Sequence, residues 1–100
     1  MEVRENATQL KARLLNHTED PARPGWLRVI VEVHEVCSVR DLPSLVHSVT
    51  GDTLSVLVSP ADRGRVEVLK PGDSIELQVR LRSPSVYTTV PGSINQNHSI

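Results

Sequence analysis

The feature that most constrains the fold is a nine-residue stretch, residues 74–82, in which polar and apolar residues alternate without exception. Ile75, Leu77, Val79 and Leu81 would lie on one face, and the polar residues between them on the other. Alternation of this kind is typical of a β-strand that has one buried face and one face in water. We therefore expect Leu77 and Val79 to lie in the core of a mainly β domain.

A second strand is predicted to begin after Trp26, where apolar residues alternate from Leu27 to Val33. The series then slips by one residue, because the next apolar residue is Val36. A slip of one residue is what a β-bulge produces, and a bulge bends its strand. Shorter alternating segments at 54–58 and 86–90 predict two further strands, and residues 40–52 could add another short strand between turns.

Turn and helix signals separate these strands. Ser59-Pro60-Ala61-Asp62 has the residues of a helix start, and Gly64 is expected to end that helix within about one turn. Pro71-Gly72 predicts a type II turn, because glycine tolerates the positive φ that the third residue of this turn requires.

The N-terminal segment 3–15 is predicted to be a helix. Val3, Ala7, Leu10 and Leu14 follow one another at spacings of four, three and four residues, which places them on one helical stripe. The stripe would pack either on the β domain or on a second copy of the chain. The prediction therefore divides the chain into an N-terminal helix and linker start at 1–20, a small β-barrel domain at 21–94, and a flexible tail at 95–100.

The chain resembles the OB fold, a five-stranded Greek-key barrel, in its long bulged strand and in the small helix that precedes a late strand. The segment 69–77, which reads Leu-Lys-Pro-Gly-Asp-Ser-Ile-Glu-Leu, is similar to the turn-and-strand entry of many OB-like and related barrels. The resemblance covers residues 26–90 in outline and implies no particular family. The expected fold is thus a small five-stranded OB-like barrel or a sandwich, with an N-terminal helix.

Composition excludes several classes of protein. The net charge is −1, unlike that of a strongly basic nucleic-acid binder, and the single cysteine, Cys37, cannot form an internal disulfide. No apolar run approaches the roughly 20 residues of a membrane span. We expect a cytoplasmic protein with no membrane contact. Three Asn-x-Ser/Thr triplets, at 6–8, 16–18 and 97–99, fit the glycosylation sequon and are interpreted as coincidental.

The sequence offers no catalytic or metal-binding motif. The four histidines lack the close spacing of a metal site, the five glycines are far apart, and neither a cofactor nor a small-molecule substrate is indicated. His34 shares a predicted strand with Cys37, but the pair is a weak signal for a nucleophile. We expect Cys37 to be a buried, unreactive filler, His34 to be solvated, and the protein not to be an enzyme.

Two functions stay open. The first is a small assembly module that binds a protein partner or a second copy of itself. Its candidate self-association residues are Val3, Ala7, Leu10, Leu14 and Ile30. The alternative is an OB-like protein that binds single-stranded nucleic acid, which needs cations for phosphates and aromatic side chains for bases. Its candidate residues are Arg63, Arg65, Lys70, Arg80, Arg82, Trp26 and Tyr87.

Overall fold

The computed structural model describes residues 6–39, 50–83 and 86–96, and shows one closed β-barrel. The elements in chain order are β1 (Thr8–Glu19), β2 (Leu27–Ser38), β3 (Thr53–Val58), α1 (Arg63–Glu67), β4 (Ser74–Ser83), β5 (Val86–Thr89) and β6 (Asn95–Gln96). The strands are ordered β1-β2-β3-β5-β4, and β4 pairs with β1 again, which closes the barrel. The prediction of a mainly β, five-stranded barrel is confirmed, and the architecture is consistent with an OB-like fold.

The predicted N-terminal helix is wrong, because the chain from Thr8 to Glu19 forms a strand that closes the barrel between β2 and β4. Strand β1 is antiparallel both to β2 and to β4. Leu10, Ala12 and Leu14 are buried while Lys11 and Arg13 are exposed, which is the period of two of a strand. Leu10 and Leu14 fit a helix and a strand equally well, since four residues is close to one helical turn and equals two strand repeats. Ala12 decides between them, because it is buried together with Leu10 and Leu14, and positions two residues apart share one face only in a strand.

The bulge predicted after Val33 is confirmed. Lys11 pairs with Glu35 and Ala12 pairs with Val33, so His34 is the extra residue on β2. A second irregularity lies on β1, where Leu15 is skipped between the pairs of Leu14 and Asn16. Because bulges increase the local bend of a strand, they let these two twelve-residue strands curve around the barrel.

The Lys70–Asp73 turn leads into β4 as the sequence predicts. Gly72 has a φ of +96°, and the Asp73 N–H donates to the Lys70 carbonyl at 3.0 Å. The turn is also fastened to β1, because the Gly72 N–H donates to the Leu14 carbonyl at 2.7 Å. Helix α1 differs from its prediction: it begins at Arg63, after a turn over 59–62, and continues through Gly64 to Glu67.

The core is aliphatic and comes from every long strand. Ile75, Leu77 and Val79 are each at most 2% exposed, which confirms the inward face predicted for β4. Val66 of α1 closes one side of this cluster, and Tyr87 packs against it. Of the predicted flexible tail, Asn95 and Gln96 form β6 and pair with β4, while the residues after them lie outside the described part of the chain, as does most of the segment 40–52.

Candidate nucleic-acid interface

A row of four cross-strand partners runs over the outside of the barrel from β2 to β4. Arg28 pairs with Leu57, Leu57 with Thr88, and Thr88 with Arg80. Directly paired residues share a face of a sheet, and Leu57 lies between the inward-facing Val56 and Val58, so the row faces outward. The barrel topology thus places Arg28 at one end of the row and Arg80 at the other, with Leu57 and Thr88 between them.

A shallow groove lies along the β2 end of this row. We call it the arginine groove, and it is lined by Arg23, Arg28, Ser55, Leu57, Val86 and Tyr87. Leu57 is only 6% exposed although it points outward, so the surrounding side chains cover it. Tyr87 pairs with the inward Val56 and packs against the core, so the groove combines an apolar floor with two guanidinium groups.

Arg80 and Arg82 continue the basic surface onto β4. The Arg82 Nε donates to the Thr88 hydroxyl at 3.1 Å, which fixes the guanidinium beside the groove. The Nε of Arg80 is buried and has no hydrogen-bond partner within the described residues. The Nε donors of this pair are thus used or buried, so a bound acceptor would meet the terminal Nη groups.

The loop from Asp20 to Trp26, between β1 and β2, is closed by its own backbone. The Asp20 N–H donates to the Trp26 carbonyl and the Trp26 N–H donates to the Arg23 carbonyl, both at 3.0 Å. Gly25 has a φ of +86°, which a residue with a Cβ rarely adopts, and Pro60 lies 3.3 Å from where a Cβ would stand. The loop is therefore ordered, and Arg23 extends from a fixed point.

Asp20 holds both arginines of the groove. Its side chain is fully buried, and its carboxylate accepts the Ala22 N–H at 3.1 Å and the Arg23 Nη1 at 3.1 Å, while the Arg28 Nη2 lies 3.8 Å away. The Ala22 hydrogen bond, followed by the Arg23 hydrogen bond and the charge of Arg28, outweighs burial and lowers the pKa of Asp20. One carboxylate thus serves two guanidinium groups, which leaves a net charge of +1 at this end of the groove.

Arg63 connects α1 to the same loop. It is paired with Glu19 and Glu67, and its Nη1 donates to the Gly25 carbonyl at 3.4 Å. The hydrogen bond from Arg63 is the main cause of the lowered pKa of Glu19. Arg63 is therefore occupied in the structure of the protein and is not open to a phosphate.

The opposite wall of the barrel, β4-β1-β2, carries charges of both signs. Lys11 lies 3.6 Å from a carboxylate oxygen of Glu35 and 3.8 Å from one of Glu76. Arg13 pairs in register with Glu32 on β2. This wall is a solvated surface of exposed ion pairs, which contribute little to stability, whereas the groove wall is basic around an apolar centre.

The structure brings together only part of the set predicted for nucleic-acid binding. Arg80 and Arg82 lie on the groove wall, and Trp26 lies in the loop that also carries Arg23. Tyr87 lines the groove, but it pairs with the inward Val56 and packs against the core. Arg63 and Arg65 belong to α1, where Arg65 donates to the Ile94 carbonyl, and Lys70 lies in the turn before β4. Sequence reasoning missed Arg23 and Arg28, although Arg28 carries a visible signal because it alternates with the buried Leu27 and Val29.

The self-association set is largely internal. Ala7, Leu10 and Leu14 are each at most 1% exposed in the single chain, so they build the core and do not form an outer contact stripe. Val3 lies outside the described residues, and Ile30 is half-buried on the outer face of β2. In the single chain these three residues therefore offer no outer surface for a second copy, and self-association itself stays a prediction.

Cys37 is exposed, so the expectation that it is a buried filler is wrong. Its Sγ donates to the Glu35 Oε1 at 3.3 Å, and this hydrogen bond, with the negative charge of Glu35, raises the pKa of the thiol. His34 is half-buried and has a different partner, since its Nε2 lies 2.9 Å from the Glu32 Oε1. Each of the two residues is thus held by a separate glutamate.

Cys37 is expected to react slowly with a thiol reagent at neutral pH, despite its exposure. A raised pKa lowers the thiolate fraction, and the thiolate is the reactive species. Glu35→Gln removes the charge that raises the pKa and should increase the rate. Stopped-flow labelling of both variants against pH checks this, and equal rates in the two proteins would contradict it.

Within residues 6–39, 50–83 and 86–96, no three His, Cys, Asp or Glu side chains are grouped closely enough to hold a metal ion. No helix in the described part of the chain is long and apolar enough to cross a membrane. Comparison of the chain with protein-family models, with curated proteins and with solved structures finds no match.

Proposed function

We propose that the protein is a non-enzymatic domain that binds single-stranded nucleic acid on the wall formed by β2, β3, β5 and β4. The observation that carries this proposal is that Arg23 and Arg28 line a groove over Leu57, and that Arg80 and Arg82 follow on β4, two strands further along the same outer wall. Arginine is suited to this task because its planar fork binds phosphate through two hydrogen bonds and stacks on flat rings. An apolar floor between cations fits a ligand whose phosphates contact the arginines and whose bases lie on the floor.

The spacing of the arginines supports a ligand that crosses the strands. Arg28 on β2 and Arg80 on β4 are three strand positions apart, which is at most about 14 Å at a strand spacing of about 4.8 Å. An extended strand of a few nucleotides covers that length. In OB-like barrels, the face of β2 and β3 with the adjoining loops is the usual site for oligonucleotides and oligosaccharides, and the arginine groove occupies this face.

A single strand is favoured over a duplex by the floor of the groove. Bases of a single strand can leave their stack and lie on apolar side chains, and Leu57 and Val86 line the groove as such a surface. A duplex presents its phosphates outward and hides its bases, so it would use the arginines and leave the floor unfilled. Oligosaccharides are disfavoured because they lack phosphates, which are the natural partners of the four arginines.

The alternative proposal is a module that binds a protein partner. The apolar residues of the N-terminal segment that would contact such a partner are buried in the barrel. Because the sheet is closed, the described residues also offer little open strand edge to which a partner strand could be added. Val68, which is 78% exposed, and the half-buried Ile30 are two apolar residues on the surface that would support it. Ile30 lies on β2 and Val68 follows α1, whereas Arg23 and Arg28 line one groove.

Arg80→Ala/Arg82→Ala is expected to weaken the binding of a labelled oligonucleotide of about 12 nucleotides and to flatten its salt dependence. Each phosphate contact on a single strand contributes about 0.7 to the slope of log K against log salt, so the slope should fall by about 1.4. Fluorescence anisotropy between about 50 and about 200 mM salt measures both quantities.

The matched control is Lys11→Ala/Arg13→Ala, which removes the same two charges from the mixed-charge wall. We expect it to leave the salt slope nearly unchanged, since neither residue lies on the groove wall. Equal losses in the two double variants would mean that binding follows net charge alone. No binding by the wild-type protein at about 50 mM salt would remove the proposal.

A further inference from the structure

The geometry points to Asp20 as the positioning residue that sets Arg23 and Arg28 as one two-guanidinium clamp for a single phosphate group at the loop end of the arginine groove. This inference rests on the proposed function and adds to it how one site in the groove is built. It assigns a role in binding to a buried carboxylate that cannot itself touch an anionic ligand.

The burial of the three side chains supports this assignment. The Asp20 side chain is fully buried, while 45% of the Arg23 side chain and 49% of the Arg28 side chain are exposed. The carboxylate is thus inside the protein and the two guanidinium groups reach from it into solvent at the groove. An anion therefore meets the arginines and never meets Asp20 directly.

The hydrogen bonds to Asp20 use only part of the N–H donors of Arg23 and Arg28. The Asp20 Oδ1 accepts the Ala22 N–H and the Oδ2 accepts the Arg23 Nη1, whereas Arg28 lies at 3.8 Å, which is an ion pair without a short hydrogen bond. Each guanidinium has five N–H donors, so most of those on the pair stay free. A phosphate has the several acceptor oxygens needed to take donors from both groups at once.

A negative carboxylate beside a site for anions is explained by preorganisation of the two arginine side chains. A free arginine side chain loses rotamer freedom when it is fixed on a ligand, and that loss reduces affinity. Asp20 imposes this order in the protein alone, at the cost of cancelling one of the two positive charges. The ring of backbone hydrogen bonds from Asp20 to Trp26 fixes the carboxylate in turn.

The test is Asp20→Asn, in which charge and positioning predict opposite results. The substitution raises the net charge by one unit, so an effect of charge alone would tighten the binding of an oligonucleotide. The amide oxygen can still accept the Ala22 N–H, but the amide NH₂ faces the donors of Arg23 and releases the clamp. We expect binding to weaken by about tenfold, the factor that corresponds to one lost charge-assisted hydrogen bond.

Two controls isolate the clamp. Asp73→Asn makes the same charge change at a carboxylate that accepts the Lys70 N–H at 2.8 Å and does not line the groove, so it should not weaken binding. In an Arg23→Ala/Arg28→Ala background, Asp20→Asn should not weaken binding further, because there is no pair left to position and only the gain of one unit of net charge remains. Asp20→Ser, which keeps an acceptor for the loop, replaces Asp20→Asn if that variant does not fold.

A second readout does not depend on nucleic acid. In the wild-type protein, ¹⁵N relaxation of the Arg23 Nε–H should show an ordered side chain, and in Asp20→Asn a mobile one. Tighter or unchanged oligonucleotide binding by Asp20→Asn, or an Arg23 side chain that is equally ordered in both proteins, would overturn the assignment. If the wild type fails to bind any oligonucleotide while the order of Arg23 changes as expected, the proposed function fails and the positioning by Asp20 stands.

Discussion

Replacing Ala12 with aspartate is expected to unfold the protein. Ala12 is 2% exposed and lies between Leu10 and Leu14 on the inward face of β1, where a carboxylate would have neither water nor a partner. An unpaired charge in an apolar interior costs many kcal/mol, which is comparable with the whole stability of a small domain, about 5–15 kcal/mol. The measurement is circular dichroism of the purified variant with a thermal melt.

Thr18→Asp is the matched control on the same strand. Thr18 is exposed and pairs in register with Arg28, so a carboxylate there stays in water beside a positive charge. We expect its melting temperature to stay close to that of the wild type. A folded Ala12→Asp variant would contradict the strand, because position 12 lies off the apolar stripe only if the segment is a helix.

Leu77→Ala is expected to cost about 2–5 kcal/mol of stability, as truncations of buried leucines do. Leu77 is 1% exposed and lies in the middle of β4, which pairs on its two sides with β1 and β5. Its neighbours from β1 cannot move inward to fill the space without breaking the ladder on that side. The free energy of unfolding from a urea titration gives the effect directly.

Gln78→Ala, one residue along the strand, should change the stability by no more than about 0.5 kcal/mol. Its side chain lies on the outer face, and the hydrogen bond that fixes the strand here uses the Gln78 backbone N–H, which donates to the Ser93 hydroxyl at 3.0 Å and survives the substitution. Because a register slip of one residue would exchange the two positions, similar losses in Leu77→Ala and Gln78→Ala would contradict the structure of β4.

Strand β4 could be predicted from sequence because each of its residues points to the same conclusion. Strand β1 could not, because its decisive residue is a small one. An alanine adds little to a hydrophobic pattern, so Leu10 and Leu14 match a helical period as well as a strand period. The pairing of β1 with two other strands, which decides the matter, involves segments remote in sequence. The bulge after Val33 and the turn at Gly72 were predictable, since each follows from local backbone requirements.

The sequence predicts only the part of the candidate site that follows from the alternation of polar and apolar residues along a strand. Arg80 and Arg82 share the wet face of a clearly recognised strand, so their side of the barrel could be predicted. Their proximity to Arg28 depends on the parallel contact between β3 and β5, which joins segments about thirty residues apart and has no local signature. Arg23 and Asp20 lie in a loop whose geometry comes from its own hydrogen bonds, and composition alone marked that loop as a linker.

The most direct test of the central claim is a titration of ¹⁵N-labelled protein with a single-stranded oligonucleotide, followed residue by residue in ¹H–¹⁵N correlation spectra. Binding on the groove wall predicts that the backbone amides of Arg28, Leu57, Tyr87 and Thr88 shift first and furthest, while those of Lys11 and Arg13 on the mixed-charge wall do not move. Shifts spread evenly over both walls, or confined to β1, would contradict the account.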